Sequence, residues 1–99
     1  MDTEKQITAK EESEKRKAAI TESVHIIADH SMPINWHLKD ILAEMCYHLG
    51  SDKVRSYKAF ITALANNNYI IASNELIKSD WHDQQPEDCE RLARELTKL

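Results

Sequence analysis

The sequence predicts an all-α fold, a compact bundle of five to six short helices, and three observations carry that prediction. One Gly and two Pro in 99 residues leave the chain short of the residues that tight β-turns require. Apolar residues recur at three- and four-residue spacing over most of the length. No stretch alternates apolar and polar residues strongly enough to compete as a strand. The length is that of one domain, and an apolar content of 41% supports a modest core.

Taken in order, Met1 to Lys17 alternates charge signs and offers almost nothing to bury except Ile7. Glu11, Glu12 and Glu14 lie three or four places before Lys15, Arg16 and Lys17. Helical ion pairs are therefore available, each worth about 0.3–0.5 kcal/mol. Residues 1–17 read as a frayed tail or as the exposed start of a helix, and residues 18–99 as the single helical domain. From Ala18 the pattern turns amphipathic, with Ile20, Val24 and Ile27 on one stripe. That helix should end near His30, ahead of Pro33, which disfavours helix in the residue before it.

Ile34 to Leu49 carries the strongest helical signal. Leu38, Ile41, Leu42, Met45, Cys46 and Leu49 form one stripe, and Gly50 follows where a left-handed cap is wanted. Ser51 and Asp52 suit the N-cap of a short helical turn. Tyr57, Phe60, Ile61 and Leu64 mark the next helix, closed by the turn-forming run Asn66–Asn68. Tyr69, Ala72 and Leu76 define another, with Ser73 beside the stripe and an end near Lys78. Ser79 to Gln85 reads as a polar connector holding Trp81. Pro86 suits a first helical turn, where its missing N–H costs nothing. Cys89, Leu92, Ala93 and Leu96 then face the core.

Several function classes recede on composition. A net charge of −4 argues against direct nucleic-acid binding as the main activity. No apolar run is long enough for a membrane span, and the polar opening does not resemble a signal peptide, so the expected compartment is the cytoplasm. Cys46 and Cys89 fall at apolar helical positions and read as buried thiols rather than as a disulfide or a nucleophile. The five histidines (His25, His30, His37, His48, His82) show no ligand-like spacing, so neither a metal nor a cofactor is expected. His25 and Asp29, four apart, read as a surface hydrogen bond. No glycine loop is present to cradle a phosphate.

Between Ser79 and Glu90 stand five acidic residues, Asp80, Asp83, Glu87, Asp88 and Glu90, with no Lys or Arg among them. They read either as a solvated loop with an acidic helix start, favoured by the helix dipole, or as a contact surface.

The chain also resembles a known family. Phe60–Ile61, Ala63–Leu64, the Asn run and Tyr69 come first; Ala72–Ser73, Glu75–Leu76, Ser79, Trp81, Gln84, Pro86 and Arg91–Leu92–Ala93 follow in order. This pattern is similar to the C-terminal helical lobe of the phage T4-type lysozymes, the family 24 glycoside hydrolases. Those enzymes close with A-x-x-x-L, S-x-W-x-x-Q-x-P and a basic final helix; Ser73 stands where a second Ala is common. The likeness runs from about Trp36 to Leu99, and the helix from Glu11 to His30 more loosely resembles the family's connecting helix.

The resemblance implies that Trp81 plugs the core and that Ser79 and Gln84 fix the connector; independently, a buried indole needs one partner for its N–H, and His48 and Gln84 are the candidates. The resemblance also implies a missing activity. The family's catalytic Glu, its Asp or Cys, and its Thr sit in an N-terminal lobe rich in β-hairpin. No Glu-x8-Asp-x5-Thr pattern and no Gly precede Trp36. The expectation is a catalytically inert, cytoplasmic phage or prophage protein that binds a host protein with a basic surface through Asp80, Asp83, Glu87, Asp88 and Glu90. An inhibitor of host defence or nucleic-acid-handling machinery would fit that charge. The alternative is a murein-binding lobe or half of a split endolysin, with Tyr47, His48, Phe60 and Glu75 along a glycan–peptide groove. A homodimer through the polar first helix is a further option, although its stripe is thin for a coiled coil.

Overall fold

The computed structural model describes residues 2–33 and 35–99, with side chains from Glu11 onward. Among the described residues it is all-helical, with seven helices rather than five or six: α1 (Asp2–Asp29), α2 (Trp36–Leu49), α3 (Ser51–Ser56), α4 (Lys58–Ala65), α5 (Tyr69–Ile77), α6 (Asp80–Gln84) and α7 (Pro86–Leu96). α3 is the expected short turn after Gly50, and the one addition is α6, a helical turn in place of the expected polar connector. The expectations for Met1, for the side chain of Ile7 and for a helix start at Ile34 fall outside the described residues.

α1 has 28 residues, or about 42 Å at 1.5 Å per residue, against a long molecular axis of 47 Å. It runs unbroken across the expected boundary at residue 17, and residues 11–18 are exposed. The expected stripe needs correction. Ile20 and Val24 are each 46% exposed, whereas Ala19, Ser23, Ile26 and Ile27 are buried. The small residues Ala19 and Ser23 let α2 approach closely. Ser23 Oγ donates to Ile20 O at 2.6 Å, so its hydroxyl enters the core satisfied.

α1 ends on a Schellman turn. Ser31 is left-handed (φ 52°), with Ser31 N donating to Ala28 O and Met32 N to Ile27 O. Buried Met32 closes the hydrophobic contact, and the chain returns as α2 in an αα-hairpin. The side chain of Asn35 caps α2, accepting from His37 N at 2.9 Å and Leu38 N at 3.2 Å. Arg55 pairs with Asp29 at 3.0 Å and ties α3 to α1. Asp29 is thus held by an arginine from another helix, and His30 Nδ1 turns back to Ile26 O at 3.0 Å.

α2 is the central helix. Leu38, Ile41, Leu42, Met45 and Cys46 are buried, and Leu49 is half-buried. Gly50 ends α2 and caps α3 at φ 83°, ψ 153°, a region that only Gly occupies without strain. Ser51 and Asp52 therefore sit inside α3, not at its cap. α4 and α5 pack as a second hairpin around the Asn run. There Asn67 (φ 58°) and the Asn68 N to Ala63 O bond repeat the Schellman geometry. α7 closes the bundle against α5 and α2 with Cys89, Leu92, Ala93 and Leu96 buried. Trp81, Phe60, Leu64 and Leu76 fill the centre.

Candidate functional site

The acidic corner is built on Trp81 and the residue that links α6 to α7. Ser79 sets the entry in extended backbone, and its Oγ donates to Leu76 O at 2.6 Å. Trp81 is 1% exposed, so α6 is held down by an indole despite having only five residues. Its Nε1 donates to Gln85 Oε1 at 2.7 Å. This corrects the expected partner. Gln84 is exposed, and His48 only stacks at an angle, with ring centroids 5.9 Å apart.

Gln85 joins three bonds. Its backbone N–H donates to Trp81 O at 2.7 Å, and its carbonyl accepts from Cys89 N at 3.1 Å. Pro86 forces Gln85 out of the α region (φ −138°, ψ 69°), which breaks α6 from α7 and turns the side chain back to the indole. Cys89 Sγ donates to Leu76 O at 3.2 Å and stitches α7 to α5.

The five acidic residues on this frame are not equivalent. Asp80 is engaged twice: Lys53 Nζ lies 2.6 Å from Oδ2, and Tyr57 Oη donates to Oδ1 at 2.6 Å. The lysine first, and then the tyrosine, hold the Asp80 carboxyl below its ordinary range. Burial, followed by the bond to Asp80, pushes the Tyr57 phenol up to about 12. Asp80 therefore ties α6 to the joint between α3 and α4. Asp88 lies 3.7 Å from Arg91, which is drawn more closely to Glu44 at 3.0 Å. Glu90 lies 3.7 Å from His82 Nε2.

Asp83 and Glu87 enter none of the ion pairs among the described residues, and both are exposed. They flank the Gln85–Pro86 step. A shallow cleft of about 330 Å³ is lined there by Gln85, Pro86, Glu87 and Asp88. The open charge at this corner thus comes from Asp83 in α6 and from the first turn of α7, and only the latter is a place where the helix dipole favours carboxylates.

The four residues assigned to a glycan groove are placed differently. Tyr47 Oη donates to Glu12 Oε1 at 2.6 Å, and Lys15 and Arg16 lie 4.8 and 4.4 Å from its ring centre. That cluster fastens the first half of α1 to α2. Tyr47 borders a groove of about 370 Å³ between α1, α2 and α7, rimmed by Arg16, Asp40, Glu44, Arg91 and Glu95. His48 is exposed and meets Tyr47 edge-on. Phe60 is 1% exposed. With Glu75, itself 3.7 Å from Lys78, it borders a separate depression at α4 and α5.

Sequence reasoning missed Gln85, Lys53 and Tyr57. Gln85 was within reach, since it lies four residues after Trp81 and directly before Pro86. Lys53 and Tyr57 are joined to Asp80 only by tertiary structure.

Cys46 and Cys89 are free and buried, and burial pushes both thiols up to about 11. They are poor nucleophiles as placed. Among the described residues, no group of three or more His, Cys, Asp or Glu is arranged to hold a metal ion, and no helix is long and apolar enough to cross a membrane. Set against known proteins, the chain matches no family model, and no curated protein or solved structure is significantly similar to it.

Proposed function

We propose that this chain is a non-catalytic binding module whose acidic corner at α6 and α7 engages a basic surface on a partner protein. The observation that carries the reading is the pair Asp83 and Glu87, exposed and without an internal counter-charge among the described residues. Asp88, 3.7 Å from an Arg91 that is drawn more closely to Glu44, and the exposed Glu90 add charge that a closer partner can draw away. An opposing basic surface gains long-range attraction in water, which speeds association and weakens as salt rises.

The likeness to the lysozyme C-lobe supplies a context for this reading. Where that family carries a basic final helix suited to an anionic wall, this chain opens its final helix with Glu87 and Asp88. A phage protein that borrows the lobe to block a host nucleic-acid-handling or defence protein fits the sign of that change. The murein reading receives less support, because α1 already occupies Tyr47 and Phe60 is enclosed.

The test is affinity capture from bacterial host cells, repeated with the Asp83→Asn/Glu87→Gln double variant at two salt concentrations. The wild-type chain should hold one stoichiometric basic protein, and the double variant should hold it at least about tenfold more weakly at low salt. Equal retention by both chains would exclude the corner. Sedimentation with purified peptidoglycan, unaffected by the double variant, would favour the murein lobe instead.

A further inference from the structure

We propose that His82 and Glu90 form a proton-operated clasp between α6 and α7, open while the imidazole is neutral and closed once it is protonated. Closure withdraws Glu90 from the open charge of the acidic corner. The Nε2 atom of His82 carries the proposal. It is enclosed, and among the described residues it is the one buried side-chain nitrogen or oxygen without a hydrogen-bond partner. Such orphans are rare in folded chains, because an unpaired buried polar atom costs free energy. Glu90 Oε1 lies 3.7 Å away, too far for a hydrogen bond.

The chemistry of the ring explains the gap. A neutral imidazole that keeps its single proton on Nδ1 leaves Nε2 as an acceptor, and an ionised carboxylate has nothing to donate to it. A protonated imidazole carries an N–H on both nitrogens, so Nε2 becomes a donor. Glu90 is then the one carboxylate within 4 Å of it among the described residues. Charge-assisted N–H···O bonds settle at about 2.7–2.9 Å, so closure needs a movement of about 0.9 Å. The side chains are 28% and 50% exposed, and a small torsional change supplies that movement with both helices fixed.

The charges on the neighbouring elements leave Glu90 to His82. On α6, Asp80 is already bonded to Lys53 and Tyr57, and Asp83 enters no ion pair among the described residues. On α7, Arg91 is drawn to Glu44 and Asp88, and Cys89 gives its thiol to Leu76 O. On α5, Glu75 and Lys78 pair with each other. His48 of α2 reaches α6 by stacking on Trp81. The clasp thus adds, in acid, a second tie across the Gln85–Pro86 step that joins α6 to α7. Its effect on a partner rests on the reading of the corner proposed above; the clasp itself does not.

Nuclear magnetic resonance of the isolated chain, titrated from about pH 8 to about pH 5 where imidazoles change charge, tests the clasp. In acid the Nε2 proton of His82 should exchange with water at least about tenfold more slowly in the wild type than in Glu90→Ala. The Glu90 side-chain carboxyl should shift in the same step, and that step should vanish in His82→Gln, whose amide does not titrate. Both side chains are partly exposed, so both variants should fold. An Nε2 proton that exchanges equally fast in the wild type and Glu90→Ala overturns the proposal, as does a carboxyl step that persists in His82→Gln. Binding of an oligo-arginine peptide tests the consequence separately. Acid should weaken it about threefold more in the wild type than in His82→Gln. A closed clasp without peptide binding at either pH sinks the corner reading and leaves the clasp standing; peptide binding without the carboxyl step sinks the clasp alone.

Discussion

The indole N–H of Trp81 is bonded to Gln85, not to Gln84, at 2.7 Å, and that one-residue difference sets how the last two helices meet. Gln85 is the only one of the two glutamines whose backbone Pro86 removes from the helix, so its side chain can fold back over the indole. Gln85→Ala should cost about 1–2 kcal/mol by leaving a largely buried donor unpaired. Gln84→Ala should stay within about 0.5 kcal/mol, as expected of an exposed position without partners. Urea unfolding, read as a shift in midpoint at unchanged slope, distinguishes the two.

Asp80 should govern part of the response to acid. Its carboxyl is held below its ordinary value near 3.8 by Lys53 and Tyr57. A lowered folded-state value means that the unfolded chain binds the proton first. The contribution is therefore complete above about pH 3.8 and is lost as pH falls through the lower folded value. The Asp80→Asn variant should start less stable near neutrality and lose less on acidification. Unfolding curves taken between neutral and acid pH read this as convergence of the two chains. Convergence should shrink in high salt, because the carboxylate is half exposed.

The alkaline limit has the opposite sign. Cys46 and Cys89 are raised from 9.0 to about 11, and Tyr57 from 10.0 to about 12. Folding favours their protonated forms, so this stability is present below about pH 9 and is lost as pH rises through about 11 to 12. Near pH 8 the native chain should react slowly with an aromatic disulfide reagent. Two thiols should titrate at once after denaturation. Rapid native labelling of either thiol would contradict the buried placement.

The two Schellman turns differ in fitness. Asn67 tolerates the left-handed region, whereas Ser31 adopts it at φ 52° with a side chain that does not favour it. Ser31→Gly should stabilise the chain by about 0.5–1 kcal/mol, the relief of strain less the added entropy of the unfolded chain. Asn67→Gly should be nearly neutral. At the next helix start, Asn35→Ala should cost about 1 kcal/mol by removing the cap of α2. Thermal midpoints of the three variants should rise, hold and fall respectively.

Most of the architecture was legible because it depends on local pattern. The stripe on α2, the Gly50 break, the Asn66–Asn68 turn and the proline start of α7 all follow from periodicity and backbone preference. The N-terminal helix was legible in existence but not in orientation. Ile20 and Val24 look like core residues by hydrophobicity, yet Ala19 and Ser23 are buried because close packing against α2 rewards small side chains. A serine that bonds its own helix backbone cannot be told from a solvated serine by sequence.

The candidate corner divides in the same way. By itself the sequence determined that five carboxylates cluster around Trp81 and Pro86, because their spacing and the absence of nearby cations are properties of the chain. Only the tertiary structure decided which of them are open. Lys53 and Tyr57 reach Asp80 from 27 and 23 residues away, and Arg91 divides itself between Glu44 and Asp88. Ion pairing falls off steeply with distance, and those distances are set by how α3, α6 and α7 pack. Charge content is written in the sequence, but free charge is settled by the fold.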